Sequence, residues 1–156
     1  MKRDMLALCT NKTREFEAVC KRNGLALTIQ RRVILECLAS RTDHPTADQV
    51  YDDVAGKIQG VSRTTVYRVL ETFVSIGLAK KISNPESKAR FDADTTRHHH
   101  LTCTNCGVVI DLFDNDLNNL RLPAGIEKDF EIADYSITFT GTCSACSGRL
   151  LEEKRK

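Results

Sequence analysis

No apolar run in this 156-residue chain approaches the ~18 residues that a membrane-spanning helix needs. The first residues have a charged start, but only five apolar residues (Met5 to Cys9) follow before polar sequence resumes, too few for an export signal. There is no internal repeat and no low-complexity tract. Cysteine is present in an odd number, seven, which does not suit a disulfide framework. These absences exclude membrane-spanning and fibrous classes and predict a protein of a reduced compartment, the cytoplasm. With 41% hydrophobic and 28% charged residues, the chain has the balance of a soluble globular protein with one ordinary domain or two small ones.

The net charge of +2 conceals a division. Residues 1–90 hold 16 Lys/Arg against 10 Asp/Glu, whereas residues 91–156 hold 7 against 11. The basic part is the one suited to meeting a polyanion, and the acidic part to holding cations.

Within the basic part, polar residues punctuate apolar periodicity. Thr13 is expected to cap a first helix burying Phe16, Val19 and Cys20 and ending near Asn23-Gly24. Thr28 caps a second, carrying Ile29, Val33, Ile34, Cys37 and Leu38. After His44-Pro45, Thr46-Ala47-Asp48-Gln49 is a capping box opening a third helix with Val50, Tyr51, Val54 and Ile58. Ser62 caps a fourth, with Val66, Val69, Leu70 and Phe73 inside and Gly77 at its end. A strand at 78–82, a turn at 84–87 and a returning strand at 89–92 complete the order of a winged helix-turn-helix. Opposite the apolar side of the fourth helix lie Arg63, Thr64, Thr65, Tyr67 and Arg68, placed as a recognition helix presents base-reading groups to the major groove. Lys80, Lys81, Lys88 and Arg90 on the hairpin would grip phosphates. The competing reading is a small helical domain with an ordinary solvated face.

Past Asp92 the pattern changes. A strand is expected at 108–113, a short helix at 115–122, a turn at 123–125, and strand again at 131–133 and 136–140. Residues 93–97 form the expected hinge, and 151–156 a charged, frayed tail. Two CxxC pairs, Cys103/Cys106 and Cys143/Cys146, supply the four thiolates of a structural zinc site. The 36 residues between the pairs are more than common zinc patterns use, so the ion would pin the two ends of a small domain with few aromatics. A thiol–disulfide switch is the alternative. Cys9, Cys20 and Cys37 read as small buried hydrophobes.

With sulfur filling that shell, His98-His99-His100 is left over. In an extended chain His98 and His100 face one way and His99 the other. Asp92 closes the hairpin, and Asp111 interrupts an apolar run where it is costly unless it faces water or a cation. His44, Asp94, Asp114 and Asp116 are further donors, among which spacing makes no choice.

Several segments together resemble the ferric-uptake-regulator superfamily of metal-responsive repressors over roughly residues 14–150: 28–35 (TIQRRVIL), 44–48 (HPTAD), 65–70 (TVYRVL), 90–92 (RFD), the HxHxxCxxCG of 98–107, and the second CxxC. The resemblance implies an α+β chain: an N-terminal winged-helix DNA-binding domain (1–92), a hinge (93–97), a small α/β dimerisation and metal-binding domain (98–150) with the four-cysteine zinc site, and a tail (151–156). It also implies a homodimer on a palindromic double-stranded operator and a regulatory metal between the domains. The ligand pattern is most similar to the peroxide-sensing branch, whose regulatory ligands fall on His44, Asp92, His98, His100 and Asp111. Three imidazoles and two carboxylates suit Fe(II) or Mn(II).

The branch further implies that peroxide is sensed by Fe(II)-catalysed oxidation of a ligand imidazole, His44 or His98, to 2-oxo-histidine, and that Mn(II) loading does not support this reaction. No cysteine lies between Cys37 and Cys103, which speaks against the zinc-sensing branch. A further site of some iron sensors matches Arg97, His99, Asn118 and Tyr135, of which only His99 is a usual ligand, so that site is expected to be absent. Tyr67-Arg68-Val69-Leu70 looks more like the iron sensors, which keeps an iron-responsive repressor as the alternative. Two histidines and a carboxylate with an open position also resemble a non-haem iron oxygenase, but no HExxH or comparable motif is present, and no enzyme activity is expected.

Overall fold

The computed structural model describes residues 5–82, 88–121, 123, 125–126 and 130–153, without the side chains of 5–9 and 149–153. The turn expected at 84–87, part of that at 123–125, the Cys9 side chain and residues 154–156 lie outside these. The chain divides into two compact units, Met1–Thr95 and Thr96–Lys156.

The first unit contains α1 (Met5–Arg22), α2 (Ile29–Ala39), α3 (Ala47–Ala55), α4 (Arg63–Ser75) and a hairpin of β1 (Lys80–Ile82) and β2 (Arg90–Asp92). The strands are antiparallel, with Lys81 opposite Phe91. This is a winged helix. Three helices start at the polar residues expected: Thr28, Thr46 and Ser62 each accept a backbone N–H through the side-chain oxygen, and the Thr46/Gln49 capping box is complete in both directions. At the end of α4, Gly77 takes φ +76°, so that the Leu78 N–H reaches the Phe73 carbonyl at 2.8 Å; this left-handed cap favours glycine. Packed inside are Phe16, Ile34, Leu35, Leu38, Val50, Val54, Val66, Leu70, Phe73 and Phe91. The rings of Phe16 and Phe73 meet edge to face at 6.1 Å.

Three expectations for this unit need correction. α3 ends at Ala55, so Ile58 lies beyond the helix, although it still packs against the core. Thr13 is an interior residue of α1, because the helix-forming segment Met5-Leu6-Ala7-Leu8 extends the helix upstream. Ile29 is 76% exposed, while Leu35 takes a core position, since the first residue after the cap points away from the packed side. Cys20 and Cys37 are buried as small hydrophobes, and burial pushes the Cys20 thiol up.

The second unit holds β3 (His99–Cys103), β4 (Val109–Leu112), α5 (Asn115–Asn118), β5 (Thr138–Gly141) and α6 (Ser144–Glu153). The sheet order is β4-β3-β5, with β3 antiparallel to β4 and parallel to β5. The expected strand at 131–133 is absent and the second begins only at Thr138. Tyr135 explains the shortness of α5. Its hydroxyl donates to the Leu117 carbonyl at 2.7 Å and accepts the Leu120 N–H at 3.0 Å, ending the helix four residues early. The Ile137 N–H goes to the His99 ring at 3.1 Å rather than to a neighbouring strand. The expected frayed tail begins later than Leu151, because α6 continues to Glu153. No described helix is long and apolar enough to cross a membrane.

Candidate metal centres and nucleic-acid face

The four cysteines come from the two ends of the second unit. β3 delivers Cys103; the turn after it carries Cys106 and closes at Gly107, whose φ of +68° lets its N–H reach the Cys103 carbonyl at 2.9 Å. Cys143 and Cys146 flank the start of α6, with the Cys146 N–H on the Cys143 carbonyl at 3.0 Å. One sulfur from each lies within 4.8 Å of the others. Cys106 and Cys143 are 3.8 Å apart, and a tetrahedron with ~2.3 Å zinc–sulfur bonds has edges of about 3.8 Å. The cradle therefore fits zinc.

Its electrostatics fit as well. The Cys143 N–H, 3.3 Å from the Cys103 sulfur, and the Cys106 N–H bring the Cys103 thiol down to about 6. For Cys106 the Val108 N–H acts downward, but the crowded Cys103, Cys146 and Cys143 sulfurs prevail and push it up to about 11. Four sulfurs this close cannot all shed protons without a cation among them.

Nitrogen and oxygen donors gather separately in each unit. In the first, His44 Nε2 lies 3.8 Å from Asp92 Oδ2. The other Asp92 oxygen accepts the Asp94 N–H at 2.7 Å, which directs Oδ2 towards the imidazole. His44 adopts φ +51°, the only positive φ among described non-glycine residues; such a conformation costs about 1–2 kcal/mol. It is held from the wing: Arg90 Nη1 donates to the His44 carbonyl at 2.8 Å, and the Phe91 N–H to the Pro45 carbonyl at 2.9 Å. Arg90, expected to grip phosphate, is thus occupied in placing a candidate ligand.

In the second unit, His100 pairs with Asp111 across the β3–β4 ladder, and His98 lies on the same side. His98 Nε2 is 3.3 Å and His100 Nε2 3.8 Å from Asp111 Oδ1; the two rings are 4.7 Å apart. The His98 tautomer follows from its other nitrogen. Nδ1 is 2.9 Å from the Thr96 carbonyl, which can only accept, so Nδ1 carries a proton. A neutral His98 then points an Nε2 lone pair at a carboxylate oxygen, an arrangement that is favourable only with a proton or a metal cation shared between them.

His99 is the opposite case. Its Nδ1 accepts the Ile137 N–H, so the proton of the neutral ring resides on Nε2 and neither nitrogen can bind a metal. It stacks with Tyr135 at 6.0 Å, and the Arg97 guanidinium lies 4.9 Å from that ring while donating to Asp134 at 3.0 Å. Arg97 Nη1 also donates to the Asn118 carbonyl at 3.4 Å, so Arg97, His99, Asn118 and Tyr135 are tied together by ring stacking and hydrogen bonding. Asp114 serves as the cap of α5, its Oδ1 accepting the Leu117 N–H at 2.9 Å, and Asp116 lies within that helix.

Of the residues expected to meet DNA, Arg63, Thr64, Tyr67 and Arg68 are exposed on α4, while Thr65 is half-buried with its hydroxyl 2.9 Å from Ser62 Oγ. Lys80 and Lys81 are on β1. Several of the cations already have partners. Arg63 pairs with Asp48 at 2.9 Å and Asp52 at 3.4 Å, and Lys81 with Glu71 at 2.6 Å. Lys88 also pairs with Asp48. These acidic partners are not legible in the sequence. Asp48 has a local explanation as an acid in the first turn of a helix, which hides its tertiary contacts.

The sequence profile of the ferric uptake regulator family matches residues 22–140. The chain is similar to the peroxide operon regulator of Bacillus subtilis, with 32% identity covering 90% of this chain and 97% of that protein. It is similar to the peroxide-responsive repressor PerR of Staphylococcus aureus, with 32% identity covering 86% and 91%. In fold it is similar to the Helicobacter pylori ferric uptake regulator, with a TM-score of 0.75 at 19% identity over 94% of this chain and 97% of that one.

Proposed function

Since the chain belongs to the ferric uptake regulator family, we propose that it is a metal-dependent, DNA-binding transcriptional repressor whose signal is hydrogen peroxide. The observation that carries this reading is the pairing of His98 Nε2, with its proton on the far nitrogen, against Asp111 Oδ1 at 3.3 Å. His100 joins that pair, and His44 with Asp92 forms a matching half-set in the other unit. Three imidazoles and two carboxylates, without thiolate, suit Fe(II) or Mn(II) and leave one coordination position open.

On this reading one ion would draw donors from both units. Metal binding therefore selects one relative placement of winged helix and second unit, and in a homodimer that placement sets the distance between recognition helices. Sulfur does not take part: the four cysteines hold a structural zinc. Leu101, Ile110 and Phe139, exposed on the sheet of the second unit, supply apolar surface for a second copy. α4 presents Thr64, Tyr67 and Arg68 to the major groove, Arg63 stands at its first turn, and Lys80 and Lys81 lie alongside phosphates.

Bound iron supplies one-electron reduction of peroxide, which manganese on the same donors does not. His44 and His98 would be among the imidazoles holding that ion, and a ring that gained an oxygen atom would be a poorer ligand. Zinc-loaded protein titrated with Mn(II) against a duplex selected from a random pool should gain about 5–150-fold in affinity. After Fe(II) and peroxide, the peptides containing His44 or His98 should gain one oxygen atom. Oxygen found only on Cys103, Cys106, Cys143 or Cys146 would replace this reading with a thiol switch. Fe(II)-dependent binding that survives peroxide without oxidised histidine would establish the iron-responsive repressor, the reading that Tyr67-Arg68-Val69-Leu70 favours.

A further inference from the structure

The cleft between α3, α4 and β2 is lined by Asp48, Arg63, Thr64, Tyr67, Lys88 and Phe91. Within it one carboxylate serves two cations from different elements. Asp48 Oδ1 accepts from Arg63, the first residue of α4, at 2.9 Å, and Oδ2 from Lys88, which leads into β2. Arg63 is held on two more sides: Asp52 Oδ1 lies 3.4 Å from its other nitrogen, and its guanidinium carbon is 4.3 Å from the centre of the Tyr51 ring. Lys88 foremost, then Arg63, keeps the Asp48 carboxyl below the usual carboxylate range, so it is charged throughout the working pH range.

Phosphate asks the same two cations for the same geometry that Asp48 already offers: a bidentate-capable guanidinium and a point ammonium. The Asp48 side chain is 41% exposed, and ion pairs this exposed are weak. They are weak enough to be exchanged, yet each cation left with Asp48 is a phosphate contact not made.

We propose that Asp48 is a positioning residue that stands in for phosphate, withholding Arg63 and Lys88 from the DNA backbone and so suppressing sequence-independent binding. Duplex binding by α4 and the hairpin then depends on the groups that Asp48 leaves available, including Tyr67 and Arg68 on the exposed side of α4. The inference rests on the proposed reading of this unit as a duplex-binding one, and the test separates the two.

The probe is a random-sequence duplex, compared with a duplex selected by the wild-type protein, both with Mn(II)-loaded full-length chain. D48N should tighten binding to the random duplex by roughly 5–50-fold at about 0.1 M salt and steepen the log K against log salt slope by about 0.9–1.8, one to two added phosphate contacts. Affinity for the selected duplex should rise less, so discrimination falls. D52N, which loses only the longer contact, should have a smaller effect. In a chain already carrying R63A and K88A, D48N should change neither affinity nor slope. Weaker binding by D48N at unchanged thermal stability would overturn the inference, because Asp48 would then be orienting Arg63 for DNA. An unchanged slope would overturn it too. Wild-type protein that binds no duplex at low salt would remove the reading beneath it; wild-type binding with an indifferent D48N would remove this inference alone.

Discussion

His98→Ala is expected to abolish Mn(II)-dependent duplex binding while leaving one zinc per subunit in place. The ring's two nitrogens have defined directions, Nδ1 to the Thr96 carbonyl and Nε2 towards Asp111. Its loss therefore removes a ligand and also releases the carboxylate oxygen that His98 and His100 share. Partners of ligands cost 10–100-fold in metal affinity when removed, so deleting a ligand should cost on the order of 100-fold or more. The four-cysteine cradle uses no atom of His98, and zinc should remain. Manganese affinity followed by paramagnetic resonance, with duplex binding by fluorescence anisotropy, checks both halves. Mn(II)-dependent binding preserved within about twofold, well below the 5–150-fold expected of coupling, would exclude His98 from the set.

The histidine arrangement was legible where it depends on strand alternation. His98 and His100 fall on one side and His99 on the other because β3 is extended, and Asp111 meets them because it is opposite His100 in the ladder. The left-handed backbone of His44 was not legible, since it depends on Arg90 and Phe91, some 46 residues away, holding the chain at Pro45. Helix starts at Thr28, Thr46 and Ser62 could be read because a cap is a contact within three residues. The end of α5 and the irregular path through 131–137 could not, because Tyr135 and His99 take the backbone groups that a helix or strand would have used. The same limit hid Asp48: nothing local says that an acid in the first turn of α3 reaches both α4 and the wing.

The second large effect belongs to zinc. Cys103→Ser should release the ion and unfold the second unit while the winged helix keeps its helical signal. Among the described residues of that unit, the only fully buried apolar side chains are Cys103, Val109 and Cys146, two of them donors themselves. All four residues of β5 are exposed. The first unit, by contrast, has Phe16, Phe73, Phe91 and their aliphatic neighbours. Burial of a single large apolar side chain contributes ~1.5–3 kcal/mol, so Val109 cannot hold three strands. A structural zinc contributes about 10–16 kcal/mol of apparent binding energy at neutral pH. Hydrogen exchange should show amides of β3 and β4 losing protection in Cys103→Ser, with α2 and α4 protected as before. Protected β3 and β4 amides in zinc-free protein would mean that the sheet stands without the ion.

Two ions of different chemistry, one held by sulfur within a single unit and one by nitrogen and oxygen contributed from both, form the centre of this account. Calorimetric Mn(II) titration of zinc-loaded His44→Ala tests it most directly, because His44 is the donor farthest in sequence from the other four. The predicted result is one zinc retained and the high-affinity Mn(II) event lost, as in His98→Ala. One Mn(II) bound at wild-type affinity would show that the second unit holds its ion alone, and the proposed link between metal and DNA would be wrong.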